Sequence, residues 1–125
     1  MTNEELYEIA SRVRENAYSP YSHVKVGAAL LTGSGAVYTG VNVENASFGA
    51  AICAERSAAV QAVGNGDREF IKIAVAVSGS RVKSPCGICR QFLAEFSKDF
   101  TVIYEKNGAL TAQKLSELLP DSFAL

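Results

Sequence analysis

The 125-residue chain has little of several things. His23 is the only histidine, so an imidazole can supply at most one ligand to any metal. The three cysteines are an odd number, and two of them sit as Cys86-x-x-Cys89. That pattern favours metal binding or redox chemistry over a disulfide framework. Neither sign of charge dominates, with 12 Lys and Arg against 13 Asp and Glu and a net charge of −1. Without a Lys/Arg block, the electrostatic footprint of a nucleic-acid or anionic-membrane partner is missing. No apolar run approaches the ~20 residues of a membrane span. Met1-Thr2-Asn3-Glu4-Glu5 is polar and acidic, unlike a signal peptide. The expectation is a cytoplasmic protein without nucleic-acid or membrane partners. What is present is ordinary globular composition, 48% hydrophobic with 20% charged. Residues 1–125 are read as a single domain, large enough to bury roughly two-thirds of its unfolded surface.

Taken in order, Thr2-x-x-Glu5 resembles a capping box. Leu6, Ile9, Ala10 and Val13 follow at helical spacing, predicting a helix over about 3–16. Tyr18-Ser19-Pro20-Tyr21-Ser22 breaks it. Residues 24–31 and 36–41 read as strands joined by Gly33-Ser34-Gly35, a hairpin. Val24, Val26, Ala28 and Leu30 share one face, but Ala29 and Leu31 make the other apolar too, so both faces should be covered. Residues 42–51 are polar and loop-like. A helix over 53–63 is expected to end at Gly64. The apolar run 71–77 reads as a buried central strand. Pro85 opens a helix over about 87–97 with Ile88, Phe92, Leu93 and Phe96 inward, of which Phe92, Leu93 and Phe96 are taken as core. A strand over 100–104 leads to Asn107-Gly108, a two-residue hairpin signal, and a short last strand. Leu115, Leu118 and Leu119 mark a final helical turn before Pro120. This order implies an α/β fold, a mixed sheet with helices on both faces.

The chemistry concentrates at Cys53-Ala54-Glu55 and, 33 positions after Cys53, at Pro85-Cys86-Gly87-Ile88-Cys89. Cys53 and Cys86 each begin a predicted helix, where the positive helix end favours a thiolate. Cys86 and Cys89, three apart, can turn both sulfurs toward one ion. Three thiolates leave a Zn²⁺ ion with a charge of −1, which positive groups must offset. The helix ends supply part of this, and Arg56, one turn after Cys53, is placed to supply more. Glu55 beside an open coordination position can move protons. Other readings stand beside this one. Cys-x-x-Cys also serves as a redox dithiol, although such a motif usually follows a strand and needs no third cysteine. A structural zinc site needs a fourth ligand, which only His23 could supply as an imidazole, from a polar turn that favours solvent exposure. Glu55 taken alone is an ordinary solvated helix carboxylate.

At these residues the chain resembles the zinc-dependent cytidine deaminases in their short, three-cysteine form. The resemblance covers Pro20-Tyr21-Ser22 with Val26-Gly27-Ala28-Ala29-Leu30, Gly40-Val41-Asn42-Val43-Glu44-Asn45-Ala46, Cys53-Ala54-Glu55-Arg56, Ser84-Pro85-Cys86-Gly87-Ile88-Cys89-Arg90-Gln91 and Glu117-Leu118-Leu119-Pro120. The paired Cys-x-Glu and Pro-Cys-x-x-Cys elements carry the deaminase signature. The resemblance implies a three-layer αβα cytidine-deaminase-like fold around a mixed five-stranded sheet. It implies one Zn²⁺ per subunit on Cys53, Cys86 and Cys89, which activates a water for attack at C4 of cytosine. Glu55 would carry the protons. The products would be uridine or deoxyuridine and ammonia, a hydrolase reaction of pyrimidine salvage. Asn42 and Glu44 resemble the pair that binds the ribose hydroxyls, and Glu44 would repel phosphate, favouring free nucleosides. The Ala54 backbone would read the base. Phe48 and Phe123 resemble residues that close a neighbouring subunit's pocket in a homotetramer, with core packing as their ordinary alternative.

One departure stands out. The family commonly has phenylalanine, packed near the substrate ring, where this chain has Val24. Valine lacks the aromatic face that contributes roughly 1–3 kcal/mol in base stacking. That leaves open a deaminase of a modified cytosine nucleoside, as the blasticidin S deaminases are. A non-catalytic, zinc-stabilised module is the alternative from another class.

Overall fold

The computed structural model describes residues 1–81 and 83–125. A five-stranded sheet runs in the order β2-β1-β3-β4-β5, with β1 Lys25–Thr32, β2 Val37–Val41, β3 Phe70–Ser78, β4 Thr101–Lys106 and β5 Ala109–Lys114. β3 and β4 are parallel and the other neighbours antiparallel, so the sheet is mixed, as expected. A parallel pair needs a crossover, and α3 (Gly87–Ala94) provides it.

Each helix has a local reason to begin. In α1 (Asn3–Val13) Thr2 Oγ1 accepts from the Glu5 amide at 3.1 Å and Glu5 Oε2 accepts from the Thr2 amide at 3.4 Å, completing the capping box. The α-helix stops at Val13 and one 3₁₀ turn continues over Arg14–Asn16, so the expected 3–16 segment is split between two helix types. α2 (Ala54–Gly64) and α3 start from Cys53 and Cys86 as N-caps. α2 ends one residue later than expected. Gly64 is its last helical residue, and Gly66, at φ +84°, takes the left-handed position. The Gly66 amide donates to Val63 O at 3.0 Å and the Asp67 amide to Ala62 O at 2.9 Å, the paired bonds of a Schellman end. Asn107 (φ 53°) and Gly108 (φ 80°) make the expected tight turn between β4 and β5.

The sheet is covered on both sides. On one face Ala28, Leu30, Ile73, Val75 and Val102 pack against Ala54, Ala58, Ala59 and Ala62 of α2, Leu93 of α3 and Leu115 of α4 (Leu115–Leu118). On the other, Ala29, Ala74, Ala76 and Ile103 meet Leu6 and Ala10 of α1. Three layers, αβα, result. β1 is apolar on both faces for this reason, and β3 lies centrally as its near-continuous apolar run implied. The alanine face of α2 and the bare Gly40 on β2 let helix and sheet approach closely. Residues 42–51 are held by single bridges, Tyr18 to Val43 and Val43 to Ile52, with a 3₁₀ turn at Phe48–Ala50.

One core expectation fails. Ile88 was expected to face inward, yet it is 66% exposed. Cys89 and Leu93, four apart, hold the buried stripe of α3 instead. Ile88 lies in the helix's first turn, where its side chain borders a pocket rather than the sheet.

Candidate active site

Cys53 and Cys86 sit at the starts of α2 and α3, and Cys89 is fully buried in the first turn of α3. The three sulfurs lie within 4.8 Å of one another, the one such group of potential metal ligands among the described residues. Cys53 Sγ and Cys86 Sγ are 3.8 Å apart. A disulfide needs about 2.05 Å. Two thiolates each about 2.3 Å from a tetrahedral zinc ion stand about 3.8 Å apart, which this pair matches. His23 is exposed and not part of the cluster. A three-sulfur donor set therefore fits zinc with a position left for a non-protein ligand.

The electrostatics agree. Arg56 Nη2 donates to Cys53 Sγ at 3.5 Å. The Cys53 thiol is pulled down to about 5, chiefly by a hydrogen bond from Cys89 and further by Arg56. The Cys89 thiol is pushed up by the Cys53 sulfur it donates to and by burial. Three sulfurs this close cannot all carry charge without a cation among them. Glu55, the residue two after Cys53, is only 4% exposed. Burial pushes its carboxyl up to about 7, with the nearby Cys53 charge adding to the rise. A carboxyl so placed can exchange protons near neutrality.

These groups open on a pocket of about 560 Å³. Cys53, Cys86, Glu55 and Arg56 line it together with Val24, Asn42, Glu44 and Phe48, so eight of the eleven residues expected at the site form its wall. Cys89 and Ala54 lie buried outside this wall. Phe123 is apart from this wall, 69% exposed, and its backbone exchanges hydrogen bonds with the Gln91 side chain. Phe48, expected at a neighbouring subunit's pocket, is on the rim of its own chain's pocket and 82% exposed.

Asn42 uses its amide to clamp β1. Its Oδ1 accepts from the Val26 amide at 2.8 Å and its Nδ2 donates to Val24 O at 2.8 Å. Glu44 Oε1 accepts from the Tyr21 and Ser22 amides at 2.9 and 3.1 Å, and Oε2 accepts from the Ser22 hydroxyl. The Ser22 hydroxyl, followed by the Ser22 and Tyr21 amides, holds the Glu44 carboxyl below the usual range. Sequence reasoning missed Ser22, and it missed the aliphatic wall of Val26, Val75, Val77 and Ile52. Val24 and Val26 at the entry to β1, and Val75 and Val77 in β3, alternate at strand spacing and were a visible signal for the wall. The pairing of Val26 with Val77 that brings the two strands together was not.

Comparison with known proteins gives the same picture. A cytidine deaminase of Halalkalibacterium halodurans is 44% identical over 125 residues, covering 98% of this chain and 95% of that protein. A blasticidin-S deaminase of Bacillus cereus is 35% identical, covering 93% and 88%. The crystal structure of a cytidine deaminase from Burkholderia pseudomallei superposes with a TM-score of 0.91 at 44% identity, covering 98% of this chain and 100% of the other. Residues 1–105 match the zinc-binding region of the cytidine and deoxycytidylate deaminases, and the chain belongs to that family.

Proposed function

We propose that this protein is a zinc-dependent hydrolase that converts cytidine and deoxycytidine to uridine and deoxyuridine with release of ammonia, in pyrimidine salvage. The observation that carries the reading is Glu55, a buried carboxyl that lines the same pocket as Cys53 and Cys86. Cys53, Cys86 and Cys89 would hold the zinc. When bound, it supplies Lewis acidity that makes a water acidic near neutral pH. Arg56 and the two helix ends offset the sulfur charge. Glu55 takes a proton from the attacking water, delivers it to the ring nitrogen, and helps protonate the departing amine. The new C4–O bond replaces the C4–N bond, and ammonia leaves. Asn42 and Glu44 bind sugar hydroxyls at the far wall, the Ala54 backbone reads the base, and Val24 packs on the ring. The negative charge of Glu44 favours free nucleosides over nucleotides.

Residues 1–125 act in this reading as one domain, and the working form is a cytoplasmic homotetramer. Tyr21, Phe48, Ile88 and Phe123 are large apolar side chains at 55%, 82%, 66% and 69% exposure, surface that a neighbouring subunit would cover. Phe48 and Phe123 then help close pockets between subunits. No helix among the described residues is long and apolar enough to cross a membrane.

A second reading, a modified cytosine nucleoside as substrate, is favoured by Val24. Valines and isoleucines line the pocket, and among the described residues the one aromatic side chain there is Phe48 at the exposed rim. Comparing turnover of cytidine and blasticidin S separates the two readings. The main reading is tested by ammonia release from cytosine nucleosides with metal analysis of the same sample. Glu55→Ala should keep its zinc and lose activity by more than the ~10²–10⁴ of a single proton-transfer step. Near-parental deamination by that variant would refute the mechanism, and zinc without any ammonia release from the parent would leave a non-catalytic module.

A further inference from the structure

Glu44 does not stand alone in the pocket wall. A carboxylate offers about four acceptor positions. Two on Oε1 are taken by the Tyr21 and Ser22 amides, and one on Oε2 by the Ser22 hydroxyl. That hydroxyl is itself fixed. Ser22 Oγ accepts from the Val24 amide at 3.0 Å, so its single hydrogen is free to go to Glu44. The segment that carries Ser22 is closed by a bond from the His23 amide to Ser19 O at 3.0 Å, with His23 in the left-handed region at φ 60°. The Glu44 amide donates to Tyr18 O at 2.8 Å, tying the two segments from the other side. Val24 is then gripped twice, by Ser22 at its amide and by Asn42 at its carbonyl. One connected network therefore sets the carboxylate, the amide and the side chain that face the pocket.

We propose that Ser22 is a positioning residue for substrate recognition: its hydroxyl, oriented by the Val24 amide, aims the Glu44 carboxylate so that one remaining acceptor position on Oε2 meets one sugar hydroxyl. This deepens the functional reading above and rests on it for the identity of the substrate. The contact with the sugar exists in the bound ground state and in the transition state alike, so its loss raises KM and leaves kcat in place.

The test uses the full-length zinc-loaded protein. Ser22→Ala should raise KM for cytidine roughly fivefold to tenfold, the effect of one charge-assisted hydrogen bond at an exposed site. Ser22→Thr, which keeps the hydroxyl, should restore the parental KM. In a Glu44→Ala background the Ser22→Ala change should have no further effect, because the two residues act as one unit. A second readout needs no activity. Carboxyl carbon NMR of the zinc-loaded protein should show Glu44 titrating at higher pH in Ser22→Ala than in the parent. A fall in kcat with unchanged KM, or additive effects of the two substitutions, would overturn the proposal. So would an unmoved Glu44 titration. If the parent proves inactive on cytidine, the functional reading fails alone, and the NMR comparison still decides whether Ser22 governs Glu44.

Discussion

Gly40 is where packing of the fold controls geometry of the site. It is buried in β2, paired with Ala28 of β1, and faces the backbone of α2. A β-carbon built there would stand 3.0 Å from the Ser57 carbonyl carbon, and nearer still to the Ala54 carbonyl oxygen and the Ala58 amide nitrogen. Ordinary contact begins at 3.4 Å, and all three opposing atoms are backbone, so no side chain can swing away. Gly40→Ala must therefore push α2 from the sheet by roughly 0.5–1 Å, an overpacking that costs about 1–3 kcal/mol. For a chain of this length Tm should fall by roughly 4–12 °C. The displacement passes to Cys53 and Glu55, which begin that helix. A misplacement of about 1 Å costs on the order of 10²-fold in rate. Thermal unfolding, zinc content and cytidine turnover of the purified variant measure all three effects. Gly64→Ala is the control, since its β-carbon meets nothing within 4 Å and its backbone is helical. It should leave stability equal or slightly raised. A Gly40→Ala protein with parental Tm, zinc and activity would refute the argument that close helix–sheet approach positions the site.

Other expectations are simpler. His23→Ala should leave zinc content unchanged by metal analysis, because His23 is exposed and outside the sulfur cluster; loss of metal would favour a closed structural site. Arg56→Ala removes the donor to Cys53 Sγ and should weaken zinc retention against a chelator, by up to the 10–100-fold typical of a lost outer partner of a ligand. Asp67 accepts from Tyr38, Ser34 and Thr32, and these bonds hold its carboxyl below the usual range. A lowered folded value stabilises above the unfolded value and is lost as pH falls. The stability difference between the parent and Asp67→Asn should therefore be largest near neutrality and shrink as the pH drops below about 4. A difference that stayed constant across that range would count against it.

Much of the fold and of the candidate site is legible in the sequence, and the reasons are local. Period-2 alternation and the apolar run over 71–77 gave the strands, because burial on one or both faces leaves that pattern directly. Asn107-Gly108 gave its turn because the left-handed backbone excludes most other residues. The clustering of the three cysteines was readable because zinc chemistry restricts residue type and spacing together. The misreadings have equally physical causes. Gly64 and Gly66 both suit a helix end, and only the bonds to Ala62 and Val63 decide between them. Ile88 and Cys89 compete for the inward stripe of one helix, and the buried sulfur takes it. Ser22 and Glu44 are 22 residues apart with no shared pattern, so their contact could not be read from the chain. Phe123 was placed by resemblance to a neighbouring subunit, a question of assembly that folding of one chain does not answer.

The most direct test of the central claim is X-ray absorption at the zinc edge of the purified, metal-loaded protein. Three sulfur neighbours at about 2.3 Å and one lighter oxygen neighbour are expected. A fourth ligand drawn from the protein, whether nitrogen or sulfur, or fewer than three sulfurs around the ion, would contradict it.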